Sequence, residues 1–193
     1  DHASTTYPLG VTTVTWTVAD ASGNTATCTQ TVTVTDNINP TITCPSNYTA
    51  NTAAGTCAAS VVTAAPTYAD NCSVSKLTYA LTGATTGTSA ATGINTVGTA
   101  TFNTGVTTVT YTVTDAAGNT ATCSYTVTVT DNINPTITCP ANIAVNTAAG
   151  LCTATVASLG TPTTADNCSV ATVTNDHAST TYPLGVTTVT WTV

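Results

Sequence analysis

The sequence predicts an all-β protein, and three observations carry that expectation. Thr is the commonest residue, 55 of 193, and is interleaved with Val and other β-branched or aromatic residues that favour strands. The good helix formers are nearly gone: there is no Glu, Arg or Met, and a single Lys, Lys76. Apolar and polar positions alternate with a period of two, as in Val14, Trp16 and Val18 against Thr13, Thr15 and Thr17. Regularly spaced Val, Ile, Tyr and Trp point to a packed core and set the chain apart from disordered polar tracts.

Strand elements follow in order. Val109, Tyr111 and Val113 repeat the first alternation against Thr108, Thr110 and Thr112. In the next strand Val127 and Val129 are expected inward, and Thr126, Thr128 and Thr130 outward. The Gly-Asn of DASGN and DAAGN is expected to join each such pair as a hairpin, since Gly and Asn accept positive φ. About seven short strands per unit then make a two-sheet sandwich.

Self-comparison sets the domain organisation. Residues 1–18 recur unchanged as 176–193, a period of 175 residues. Inside it TDNINPTITCP occurs at 35–45 and 130–140, and DNCSV at 70–74 and 166–170. Two related units therefore alternate, one of 95 residues and one of 80. The expected division is 1–35, the back of a short unit; 36–130, a complete long unit; and 131–193, the front of the next short unit. The extra length of the long unit falls in the Gly/Thr/Ala-rich stretch 82–104, a longer loop or an added hairpin.

Charge excludes several functions. Eight Asp against one Lys give a net charge of −7, so the chain cannot displace counterions from nucleic acid or bind an anionic membrane surface. No apolar run approaches 18 residues, which argues against membrane insertion. Eight Cys without a His cluster read as disulfides in an oxidising, extracellular setting. The chain has neither Met nor a signal peptide, and is expected to be an internal piece of something longer.

The series I-T-C-P, G-x-C, D-N-C and then G-V-T-T-V-T-Y-T-V-T-D-A-A-G-N-x-A-T-C resembles the hyalin-repeat (HYR) domain. The likeness runs through Cys44, Cys57, Cys72 and Cys123 in the long unit. In the short unit it runs through Cys139, Cys152, Cys168 and, by repeat continuity, Cys28. It implies tandem immunoglobulin-like sandwiches of an extracellular, adhesion-associated kind. Low charge and near-identical copies fit a bacterial surface protein with a long repeat array.

Four Cys per unit allow three pairings. No short C-x₂-C spacing supports zinc. In the immunoglobulin-like topology that the resemblance implies, the first and last strands run side by side. That favours Cys44–Cys123 and leaves Cys57–Cys72. The second pair is awkward, because Cys57 starts a strand and Cys72 follows its far end.

The acids are sparse and repeat. Asp36, Asp70 and Asp115 occupy the leading linker, the loop after the second strand and the last hairpin, all expected at one pole. Their counterparts are Asp131, Asp166 and Asp20, joined by Asp1 and Asp176. Converging carboxylates without a basic neighbour repel unless a cation joins them, and oxygen-only ligands at a domain junction suit Ca²⁺. The plainer alternative is that each Asp bonds its own turn.

Catalysis finds little support. His2 and His177 are copies of one loop residue, and D-H-A-S is local sequence with no triad geometry. Lys–Asn isopeptide locking would need a Lys in each unit, and the short unit has none. The Thr rows need no ice-binding explanation, since twisted sheets lack the required flatness. Asn47, Asn71 and Asn167 begin N-x-S/T triplets. The expected function is a structural segment of a long extracellular fibre or stalk, acting in adhesion or filament formation. Its partners would be neighbouring repeats and other copies packed laterally. The rival reading is a module that binds surface glycans through 82–104.

Overall fold

The computed structural model describes residues 5–193; Asp1 and His2 lie outside the described residues. The chain is all β. A first hairpin comprises β1 (Gly10–Ala19) and β2 (Thr25–Val34). The long unit holds β3 (Thr41–Thr43), β4 (Tyr48–Asn51), β5 (Ala58–Val62), β6 (Thr67–Ala69), β7 (Val74–Gly83), β8 (Gly87–Thr88), β9 (Thr99–Asn103), β10 (Gly105–Asp115) and β11 (Thr120–Thr130). Beyond them lie β12 (Thr136–Thr138), β13 (Thr153–Thr155), β14 (Thr163–Ala165), β15 (Thr174–Asn175), β16 (Thr181–Pro183) and β17 (Trp191–Thr192).

In the long unit one sheet runs β4-β11-β10-β7-β8, with β4 parallel to β11 and the other pairs antiparallel. Facing it are the pairs β3-β6 and β5-β9. Their inward residues meet in one core: Ala59, Val61 and Phe102 from the second layer against Leu77, Val109, Tyr111, Val113, Tyr125, Val127 and Val129 from the first. This is the two-sheet sandwich. Nine strands replace the expected seven for two physical reasons. Segments β5 and β6 are successive stretches of chain parted at Thr63–Pro66, where Pro66 has no N–H to give a ladder. The other extra piece, β8, is two residues at the sheet edge.

Of the two readings of 82–104, a longer loop or an added hairpin, the structure has the second: β8 folds back antiparallel on β7, and the stretch goes on into β9, whose Phe102 is fully buried. Its remainder is held by Asn95, whose amide donates to the carbonyls of Leu77, Ala90 and Thr92. The hairpin turn is longer than the expected Gly-Asn: β10 and β11 are joined by Ala116–Asn119, and only Gly118 has positive φ (99°). The Asp115 carboxylate closes this turn by accepting from the N–H groups of Gly118 and Asn119 and from the Asn119 amide. Buried Thr residues are likewise partnered: Thr63 donates to Gly98 O, and the Thr107 hydroxyl accepts from Thr85 N.

Tyr48, Tyr125, Tyr111 and Tyr79 form a chain of ring contacts with centroids 5.7, 6.3 and 5.9 Å apart. The Tyr125 hydroxyl is buried without a hydrogen-bond partner. Burial pushes its pKa up to about 12, against roughly 10 in an unfolded chain. A raised folded pKa contributes stability in full below the unfolded value and loses it as pH rises through the folded one. Urea midpoints followed by circular dichroism should therefore be insensitive to this group up to about pH 10 and fall between there and about pH 12. Tyr125→Phe should make that alkaline fall shallower at little cost at pH 7; an unchanged fall would contradict it.

Candidate functional site

The repeat places two equivalent clusters of oxygen and sulfur in the chain. Asp36, Asp70 and Cys72 form one, and Asp131, Asp166 and Cys168 the other, with potential ligand atoms within 4.8 Å of each other in each. The cause is local. The strand pairs β3-β6 and β12-β14 bring the D-N-I-N-P linker beside the loop that carries D-N-C-S. Asp36 Oδ1 accepts from Ile38 N at 3.1 Å, and Asp131 Oδ1 from Ile133 N at 3.2 Å. Asp70 Oδ2 accepts from Cys72 N and Ser73 N at 2.9 and 3.1 Å. Asp166 Oδ2 does the same for Cys168 N and Ser169 N, at the same distances. These bonds favour the ionised carboxylate, so Asp36 and Asp131 are held below the usual carboxylate range, chiefly by the Ile38 and Ile133 N–H groups.

The third expected acid of each set does something else. Asp115 is buried in its own hairpin turn. Asp20 makes the same turn in β1–β2, accepting from Ser22 N, Asn24 N and the Asn24 amide. Asp176 accepts from Thr190 N. Asp20 and Asp115 therefore fit the turn-forming alternative. The hairpin still reaches the linker, since the Asn119 amide donates to Asp36 O at 3.2 Å.

Among the described residues, the second cluster is the one whose bonds cross to a neighbouring unit. The Thr52 hydroxyl, from the long unit, donates to Asp131 Oδ1 at 3.0 Å. The Asn167 amide reaches Asp131 Oδ1, the Thr52 hydroxyl and the Thr56 carbonyl at 3.2, 3.2 and 3.0 Å. Cys168 then closes the joint by a disulfide to Cys57. Cys44 is bonded to Cys123 within the long unit. The favoured Cys57–Cys72 pair is thus replaced by Cys57–Cys168. The reason is the strand register. Asn51 lies opposite Thr130, which puts Cys57 at the pole of the outgoing linker. Thr41 lies opposite Ala69, which puts Cys72 at the pole of the incoming one. A bond inside the unit would have to cross the sandwich lengthwise. In place of the eight bonded cysteines expected, Cys28, Cys72, Cys139 and Cys152 carry free, exposed thiols; Cys28 and Cys139 stand where Cys123 and Cys44 do, but in the back and the front of two different short units.

Chemically the junction offers oxygens and no available sulfur, because the Cys168 sulfur is spent in the disulfide. Asp166 Oδ1 and Asn167 Oδ1 are buried there without partners, as are Asp36 Oδ2 and Asp70 Oδ1 at the other copy. Buried unpaired carboxylate oxygens are costly, and a hard divalent cation is the ligand whose chemistry they suit. The sequence motifs N-T-A-A-G-x-C and D-N-C-S, read as pole-specific halves, were the signal for the inter-unit bond. Intra-unit topology masked it. Asn167, which opens an N-x-S triplet, is occupied by the joint.

Compared with known proteins, residues 1–34 and 35–129 match the HYR domain family. No curated protein matches the chain.

Depressed carboxylate pKa values give stability that is present above the ordinary value and lost as pH falls through the folded one. Asp131 and Asp36 should therefore weaken the structure only below about pH 4. Asp131→Asn keeps an acceptor for Ile133, Thr52 and Asn167 while removing the titration. Its melting temperature, followed from pH 7 to pH 2, should fall less steeply than that of the parent chain. Parallel curves would assign acid sensitivity elsewhere.

Proposed function

The chain belongs to the HYR domain family, an extracellular, adhesion-associated and non-catalytic family, and from that premise we propose that it is a load-bearing segment of a long extracellular repeat fibre or stalk of bacterial surface type. Its work is mechanical: reach, adhesion or filament formation. The observation that carries this reading is the junction between units, where the Cys57–Cys168 disulfide and the bonds from Thr52 and Asn167 to Asp131 act together.

The linker supports stiffness. Only Asp131–Pro135 separates β11 from β12, and Pro135 restricts Asn134 to extended conformations. Asp36–Pro40 repeats that linker between β2 and β3. A joint that is short, proline-bearing and covalently closed resists bending. At ~3.3 Å per residue, a nine-residue strand spans about 30 Å, and each unit should advance a fibre by about 35–45 Å.

Bound Ca²⁺ belongs to this proposal. It would sit at Asp131, Asp166 and the Asn167 carbonyl oxygen, and at Asp36 and Asp70 in the equivalent place. There it would neutralise paired carboxylates that have no Lys or Arg to do so.

Electron microscopy of the native material tests the fibre: a beaded filament with alternating spacings supports it, and a discrete globule removes it. Chelation tests the cation separately. EDTA should lower the melting temperature and increase bending between units, and Ca²⁺ should restore both. If neither quantity moves, the Asp residues serve as hydrogen-bond acceptors without a cation, and Pro with the disulfide supplies the stiffness.

A further inference from the structure

The Cys57–Cys168 joint has two halves that differ from each other, and the chain carries each half twice. The donor half is the turn N-T-A-A-G-x-C, at 51–57 and again at 146–152. The acceptor half is a D-N-I-N-P linker beside D-N-C-S-V, at 36–40 with 70–74 and at 131–135 with 166–170. One donor and one acceptor are joined in the structure. The remaining donor, Cys152, and the remaining acceptor, Cys72, are exposed thiols.

Both unjoined halves are already built to the joined geometry. In the donor turns, Ala53 N donates to Ala58 O at 3.0 Å and Ala148 N to Thr153 O at 2.9 Å. Thr56 N and Leu151 N donate back to Ala53 O and Ala148 O at 3.1 and 3.0 Å. Gly55 and Gly150 share a φ of 76°, a conformation suited to Gly. Cys57 O accepts from Thr104 N, and Cys152 O from Leu184 N, so each Cys is anchored to the same neighbouring segment. The acceptors match equally: the Asn71 amide bonds Asp36 Oδ1 at 3.3 Å, as Asn167 bonds Asp131 Oδ1 at 3.2 Å. The one donor position that varies is Thr56 against Leu151. Thr56 serves the joint through its carbonyl, which Leu151 also has. Thr147 stands where Thr52 supplies its hydroxyl to the carboxylate.

We propose that Cys152 and Cys72 are the halves of a second, identical joint, so that the N-T-A-A-G-x-C turn of one copy docks on the D-N-C cluster of another and closes a Cys152–Cys72 disulfide. The contact is heterologous: each copy offers one donor and one acceptor, so it can extend from copy to copy along an array. Two thiols are oxidised, each losing a proton, while one oxidised glutathione is reduced to two glutathione thiols; any disulfide oxidant of that class serves. The second copy is either an adjoining stretch of the same polypeptide or a separate chain. This proposal rests on the fibre reading and specifies how its units are linked.

The test uses the full chain with Cys28→Ser and Cys139→Ser, leaving Cys72 and Cys152 as its free thiols. Folding in a glutathione buffer should yield a ladder on non-reducing gels that collapses with reductant. Peptide mapping should find Cys72 linked to Cys152 beside an intact Cys57–Cys168 bond. Adding Cys72→Ser or Cys152→Ser should leave single chains, and mixing those two variants should give dimers and nothing larger. A ladder that survives either substitution, or free Cys72 and Cys152 beside an intact Cys57–Cys168 bond, overturns the proposal. The source is read from a tandem polypeptide, residues 1–175 followed by 1–193. A linkage inside one polypeptide assigns the joint to successive units, and a linkage between polypeptides assigns it to separate chains. Failure of the bond leaves a beaded filament possible through linkers alone, whereas the bond without any filament defeats only the fibre reading.

Discussion

The long unit depends on the inward stripe of one hairpin. On β10, Val109, Tyr111 and Val113 are fully buried, and on β11 Tyr125, Val127 and Val129 are nearly so. Each such side chain is worth roughly 1.5–3 kcal/mol when taken from water, so this pair supplies the surface on which the facing layer condenses. The same sequence pattern elsewhere shows that pairing alone is insufficient. Strands β1 and β2 keep the equivalent register, with Trp16 opposite Cys28 as Tyr111 is opposite Cys123. Yet Trp16 and Val18 are 59% and 67% exposed. A hairpin holds its ladder, but its apolar face is buried only where a second layer covers it.

The junction uses polar chemistry in an ordered way. Asp131 is not a free charge: it collects an N–H from its own linker, a hydroxyl from the preceding unit and an amide from its own D-N-C loop. Asn167 spans the two units, and the disulfide beside it makes the contact permanent under oxidising conditions. By loop-closure entropy, the bond across 111 residues and the Cys44–Cys123 bond across 79 each restrain the unfolded chain by about 4–5 kcal/mol. Covalent closure within a unit and between units thus come from separate cysteines, one pair for each task.

The candidate site was partly legible in the sequence. Asp36 with Asp70, and Asp131 with Asp166, could be grouped because strand order alone brings their loops to one end. Asp115 and Asp20 could not be separated from them, since a carboxylate that closes its own turn and one that faces a neighbouring unit carry the same letter and sit in similar polar company. The disulfide between units was hidden for a different reason. Four Cys per repeat invite pairing inside the repeat, and nothing in spacing distinguishes a partner within one bead from its equivalent in the next.

By itself the sequence determined the all-β character, the strand faces and the repeat, because β-propensity, period-two alternation and self-identity are local properties of a string. It determined the turns at Gly118 and Gly23 for the same reason: an αL position is a matter of one residue's backbone freedom. Only the tertiary structure decided that Phe102 belongs to a core strand and not a surface loop, and that Cys57 looks outward to Cys168. Both depend on which pole or layer a residue reaches after the sheets have folded over each other. That is a property of long-range register, set by which strands lie side by side, and distance along the chain does not encode it.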